Sequence, residues 1–185
     1  MKTVLSVESI ATEMPHTISL CSGGTTYVDM NQAAVAVLEP GAKTPTSIFT
    51  DGLVGCTAAA IIGDLPTGAK VAYLQHFHPE KHDQSQTNIE SVLSVLEKAG
   101  GMVRAGVVYT PGTKKGIFMP KHVPQYPWAM GLLEAMQAVL RYPSAPMNLR
   151  TYRSPGPAHS LRTIIGTSWR ASGVVSDSRK TVARC

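Results

Sequence analysis

The chain is short of cysteine, of aromatic residues and of long apolar runs, and each shortage narrows what it can be. Its three cysteines, Cys21, Cys56 and Cys185, are an odd set without the paired spacing of a disulfide scaffold or a zinc ribbon, so a reduced setting is expected. No stretch approaches the roughly 20 apolar residues that span a bilayer. Glu8 and Glu13 also interrupt the opening MKTVLSVESIATEMPH before the apolar core of a signal peptide can form. The expected location is the cytoplasm, or outside the cell as an effector exported without a cleaved signal peptide. Aromatic residues make up 6% of the chain and seldom interleave its positive charges. With no nucleic-acid motif either, nucleic acid is not an expected partner, and neither is a membrane.

What is present suits a single domain. The 185 residues are 43% hydrophobic and 16% charged, enough to bury a core without staples. Acidic residues are scarce towards the end: from Arg141 onward eight basic residues meet only Asp177, whereas residues 1 to 140 hold nine basic and eleven acidic groups. That excess suits an acidic docking partner or a solvated tail, and SGVVSDSRKTVARC reads as loosely ordered. The expectation is one domain over 1–185, with its core at 46–168 and a basic, flexible tail at 172–185.

Apolar periodicity predicts strands mixed with two helices. Residues 2 to 38 hold apolar runs broken by Pro15 and Gly23-Gly24, which read as strands and one short helix. SIFT and TAAAIIG read as strands, and KVAYLQHF forms a hairpin with the latter across the DLPTG turn. Residues 87–99 read as a helix, with Thr87 and Glu90 spaced as a capping box and Gly100-Gly101 as the stop. MVRAGVVYT follows as a strand closed by PGTKKG, and a second helix starts at Pro127 and ends before Pro143. NLRTYR and LRTIIGTSW read as strands flanking SPGPAHS. The fold class is therefore α/β in the α+β sense: central mixed, mainly antiparallel sheets or a sandwich, flanked by helices.

The run TDGLVGC, from Thr50 to Cys56, carries the chemistry. A thiol attacks as thiolate, which near neutral pH requires a cationic neighbour, a helix N-terminus or a histidine base. Gly52 and Gly55 let the backbone turn sharply and present the N–H groups of Gly55 and Cys56 as an oxyanion site. Alternation along KVAYLQHF puts Val71, Tyr73, Gln75 and Phe77 on one face and Ala72, Leu74, His76 and His78 on the other. Either His76 or His78 is thereby a candidate base for Cys56. Free cysteines are also among the most buried residue types, so Cys56 as a small core residue is the plain alternative. Cys21, before Gly23 and Gly24, is a weaker nucleophile candidate.

The order of these parts resembles the chemoreceptor glutamine deamidases of the CheD type, which share a fold with the cytotoxic necrotizing factor toxins. Thr50 stands six residues before Cys56, His76-Phe77-His78-Pro79 occupies the histidine position, AGVVYTPG matches the later strand, and LRTYRSPGPAHSLRTIIG resembles the closing hairpin. The resemblance implies a protein glutamine deamidase in which Cys56 is the nucleophile, His76 the base and Thr50 the residue that orients it, with no cofactor or metal. Its partner would be a protein substrate with an exposed Gln. Gly55 replaces the family's serine, Leu74-Gln75 its paired glycines, and His78-Pro79 shortens its Leu-Pro, so a host-directed effector fits as well as a chemotaxis enzyme. Two alternatives come from other classes. His76, His78 and His82, with Glu80 and Asp83, have the density of a divalent-metal hydrolase site, and the basic C-terminal quarter suits a noncatalytic interaction domain.

Overall fold

A computed structural model describes residues 10, 12–43, 46–113, 123–139, 147–153, 165–170 and 173–175. Eleven strands form two sheets: β1 (Ile18–Ser22), β2 (Gly24–Tyr27), β3 (Gln32–Leu38), β4 (Thr46–Thr50), β5 (Thr57–Asp64), β6 (Lys70–Phe77), β7 (Met102–Thr113), β8 (Val123–Pro124), β9 (Met147–Arg153), β10 (Ile165–Arg170) and β11 (Gly173–Val175). Two helices, α1 (His82–Lys98) and α2 (Trp128–Val139), complete the described elements. The larger sheet has seven strands in the order β1-β3-β6-β5-β7-β8, with β9 also on β7. The smaller has the order β11-β10-β4-β2. Most pairings are antiparallel; β1 with β3, β7 with β9 and β2 with β4 are parallel. The mixed, mainly antiparallel α+β architecture expected from the sequence is the one observed. No helix among the described residues is long and apolar enough to cross a membrane.

The central strands are nearly continuous in apolar character because both of their faces are covered. On one face Val35, Val37, Ile61, Val71, Tyr73 and Phe77 pack with Ile89, Val92, Leu93 and Leu96 of α1 and with Leu132, Leu133 and Met136 of α2. The opposite face is rich in alanine: Ala34 and Ala36 on β3, Ala58 and Ala60 on β5, and Ala72 on β6, with Leu38 and Leu74, pack with Ile48 of β4 and with Val28 and Leu53. Period-2 alternation thus separates a face towards the helices from one towards the second sheet. Alanines on that face let the smaller sheet come close.

Several boundaries differ from the sequence expectation, each for a local reason. The first helix begins at His82 rather than Thr87, and the Thr87 hydroxyl donates to the Asp83 carbonyl at 3.0 Å, so it lies inside the helix instead of capping it. The entry is set upstream, where His78 caps a short 3-10 turn, Pro79–Lys81, by accepting from the Glu80 N–H. At the other end Gly101 N–H bonds the Leu96 carbonyl and Gly100 N–H the Glu97 carbonyl, the Schellman stop that the Gly-Gly pair predicts. β7 continues through Pro111 to Thr113 because β9 pairs with it as far as Gly112. β9 and β10, expected as a closing hairpin, lie in different sheets: β9 runs parallel to β7, while β10 pairs with β4. Of the expected tail at 172–185, Gly173–Val175 is a strand on β10, and the remainder lies outside the described residues, as do 114–122 and 154–164.

Phe77 is fully buried at the end of β6, with its ring 5.5 Å from that of Trp128 on α2. Phe77→Ala is expected to cost about 3–5 kcal/mol in urea unfolding and to change tryptophan emission, since the ring anchors α2 to the central sheet.

Candidate functional site

The site forms where the two sheets meet. Thr50 is the last residue of β4 and is fully buried. Leaving β4, the chain turns through Asp51–Gly55, with the Val54 N–H bonded to the Gly52 carbonyl at 2.6 Å. Gly52 and Gly55 lie at φ +68° and +85°, a region that other residues reach only under strain. Cys56 ends this turn, directly before β5. In the antiparallel β5–β6 ladder Ala58 faces His76, and Cys56, two residues before Ala58, shares that face. His76 therefore points away from the helices, towards the smaller sheet and the Cys56 end of β5.

A hydrogen-bond chain fixes the imidazole. Thr50 Oγ1 lies 2.7 Å from the Val28 carbonyl oxygen and 2.8 Å from His76 Nδ1. A hydroxyl has one hydrogen and a carbonyl oxygen can only accept, so that hydrogen goes to Val28. Thr50 Oγ1 must then accept from His76 Nδ1–H. The tautomer follows: Nε2 carries a lone pair, and it is buried without a hydrogen-bond partner among the described residues. Burial lowers the His76 pKa from its usual 6.5, with the Asp29 and Asp51 carboxylates pulling the other way. The same desolvation raises the Cys56 thiol above its usual 9.0. Both shifts favour the neutral forms, thiol and imidazole, over a thiolate–imidazolium pair.

The Cys56 thiol, 5% exposed, is directed to Met30 Sδ at 3.7 Å. Met30 sits on the β2–β3 connection, a turn in which the Met30 N–H donates to Asp29 Oδ1 and Asn31 adopts φ +63°. Asn31 Oδ1 accepts from the His78 N–H at 3.0 Å, tying this turn to the end of β6. From the other side, Tyr152 on β9 donates its hydroxyl to the Cys56 carbonyl. Burial and the neighbouring Cys56 hold the Tyr152 pKa well above its usual value, so it remains a phenol. Tyr109 stacks against it at 6.4 Å. Tyr152 thereby braces the turn that carries the Gly55 N–H expected as an oxyanion donor.

The sequence candidates separate clearly. Thr50 and His76 are hydrogen-bonded, and Cys56 joins them on one face. His78 is exposed and committed to the turn after β6. His82 stacks on Trp128 at 5.4 Å and pairs with Asp83 at 2.9 Å. The three histidines expected for a metal site therefore diverge, and no group of three or more metal-ligating side chains occurs among the described residues. Cys21 is a half-buried free thiol, and Cys185 lies outside the described residues. Sequence reasoning missed Met30, Tyr152 and the two carboxylates. Asp29 and Asp51 had one legible signal in their place beside turn glycines or a turn asparagine; Tyr152 had none, because its role depends on β9 lying beside β7.

No protein-family model matches the chain, and no curated protein matches it. Among solved structures it is similar to the C-terminal domain of CNFy from Yersinia pseudotuberculosis, with 8% sequence identity and a TM-score of 0.23. That match covers 85% of this chain and 59% of the other, so the chain spans less than two thirds of that neighbour's length.

Thr50→Val would leave the Val28 carbonyl and the His76 Nδ1–H unpaired in a buried setting, at about 1–3 kcal/mol each. Nitrogen NMR of the imidazole is expected to show the Nδ1–H tautomer in the wild type and to lose that preference in the variant. The buried neutral His76 also sets a pH dependence. Its folded pKa lies below the unfolded 6.5, so its contribution to stability is complete above pH 6.5 and is lost as pH falls through the folded value. Denaturant unfolding across that range is expected to show this loss, and His76→Gln to flatten it.

Proposed function

We propose that the chain is a cysteine-dependent protein glutamine deamidase. The observation that carries this reading is the oriented, unpartnered Nε2 of His76, held by Thr50 on the same sheet face as Cys56. A fixed tautomer with a free lone pair is what a general base requires, and a third residue that accepts from the other nitrogen is the usual means of fixing it. The CheD-type resemblance of Thr50, Cys56 and His76 supplies the substrate class.

In the mechanism, substrate displaces Met30 and its Gln carboxamide enters beside the thiol. His76 Nε2 takes the Cys56 proton as sulfur attacks the carboxamide carbon. Because burial holds both groups neutral, proton transfer and attack are coupled, and no reactive thiolate waits in the empty site. The Cys56 N–H, together with the Gly55 N–H, stabilises the developing oxyanion. The C–N bond breaks and nitrogen leaves as ammonia, carrying the proton from His76. Water then gives a proton to Nε2 as its oxygen attacks the thioester. The carbon–sulfur bond breaks, sulfur regains its proton, and Glu replaces Gln. If an amine enters instead of water, the same thioester gives transglutamination, so ammonia release accompanies both outcomes but the Gln-to-Glu change marks only the first.

Mass spectrometry of candidate proteins incubated with the chain is expected to find a site-specific Gln-to-Glu change. Cys56→Ala or His76→Ala should lower its rate by about a thousandfold or more. Full activity in Cys56→Ala would refute the reading. The acid limb of kcat/KM is expected below pH 6.5, with activity falling as pH drops through the lowered His76 pKa and protonates Nε2.

A further inference from the structure

The entrance to the site has its own composition. Five large apolar side chains are exposed among the described residues, and three of them belong here: Tyr27, Met30 and Val54, at 46%, 50% and 53% exposure. Met30 touches the Cys56 sulfur, Val54 lies on the turn leading to Cys56, and the Tyr27 hydroxyl donates to Asp51 Oδ1 at 2.9 Å. Two carboxylates, Asp29 and Asp51, adjoin this entrance among the described residues. Asp29 follows Val28 and Asp51 follows Thr50, so the two carboxylates directly adjoin the two residues joined by the Thr50–Val28 bond. Asp29 is exposed and Asp51 half-buried, and among the described residues neither forms an ion pair. The chain as a whole carries +5, so this negative entrance runs against its net charge. The buried His76 Nε2, on the side of the ring opposite Thr50, has no hydrogen-bond partner among the described residues.

We infer that this acidic, apolar-rimmed entrance selects a protein segment in which the reactive Gln has a Lys or Arg neighbour and an apolar residue beside it. This rests on the deamidase reading and adds the substrate's sequence class. A cationic side chain next to the Gln lies over Asp29 and Asp51. Its apolar neighbour covers Tyr27 and Val54 and takes the surface that Met30 yields when it leaves the thiol. An acidic neighbour would meet two like charges that form no ion pair among the described residues, and is disfavoured.

The test uses short peptides with one central Gln flanked by Lys, Ala or Glu beside a constant Leu. The whole chain is assayed for Gln-to-Glu conversion, and Cys56→Ala for binding by NMR titration. The expected order is Lys over Ala over Glu, with a Lys-to-Glu ratio of roughly tenfold or more for the two carboxylates together, falling as salt is added. The double variant Asp29→Asn/Asp51→Asn keeps both acceptor oxygens and is expected to compress that ratio towards one. A flat or reversed order in the binding titration, or a ratio unchanged by the double variant, overturns the inference. Lys-selective binding to Cys56→Ala with no conversion by the wild type supports the docking preference and overturns only the catalytic reading.

Discussion

A single hydroxyl holds the site together. Thr50 belongs to the smaller sheet and His76 to the larger, so the bond between Thr50 Oγ1 and Nδ1 is a polar tie across an otherwise apolar sandwich. The tie carries direction because the Val28 carbonyl takes the hydroxyl hydrogen. Reverse that hydrogen and the imidazole would hold its proton on Nε2 and have no lone pair to offer the thiol. The orientation of one O–H bond, set by a backbone carbonyl on a neighbouring turn, thus decides whether the histidine can act as a base. The alanine face of the central sheet is what allows this reach, since a threonine side chain is short and spans the gap only where the two backbones approach closely.

Burial then defines the resting chemistry. The same desolvation lowers the imidazole pKa and raises that of the thiol, so both groups are kept from ionising. The sulfur hydrogen is directed to the thioether of Met30. The carboxylates of Asp29 and Asp51 oppose the desolvation of His76, so the local field favours an imidazolium that burial disfavours.

How much of this is legible in the sequence depends on the range of the interactions. Alternation along Lys70–Phe77 assigns His76 and Leu74 to one face and Tyr73 and Phe77 to the other, and the structure agrees, because a period of two is a local property of a strand. The hairpin to β5 follows from the Asp64–Gly68 turn, which brings Cys56 and His76 to one face. The partner across each face is not local. Nothing in the run Leu149–Arg153 says that it lies parallel to β7, and so nothing said that Tyr152 would brace the nucleophile's turn. The same limit explains the expected hairpin between β9 and β10: both strands read correctly as strands, but sheet membership is settled by which edges remain open. Thr87 and Glu90 have the spacing of a cap inside a helix whose entry is set upstream by His78 and Pro79, a competition that spacing alone does not resolve.

Tyr152 separates the parts of the site in time as well as in space. Val28, Thr50, Cys56 and His76 all precede α1 in the chain, whereas the phenol that clamps the Cys56 carbonyl is 96 residues beyond Cys56. A nascent chain that has emerged only as far as β6 holds Cys56 and His76, but the loop presenting the sulfur has not yet been clamped. Completion of the site therefore waits on β9, which ties the sharpness of that loop to a strand made well after the others.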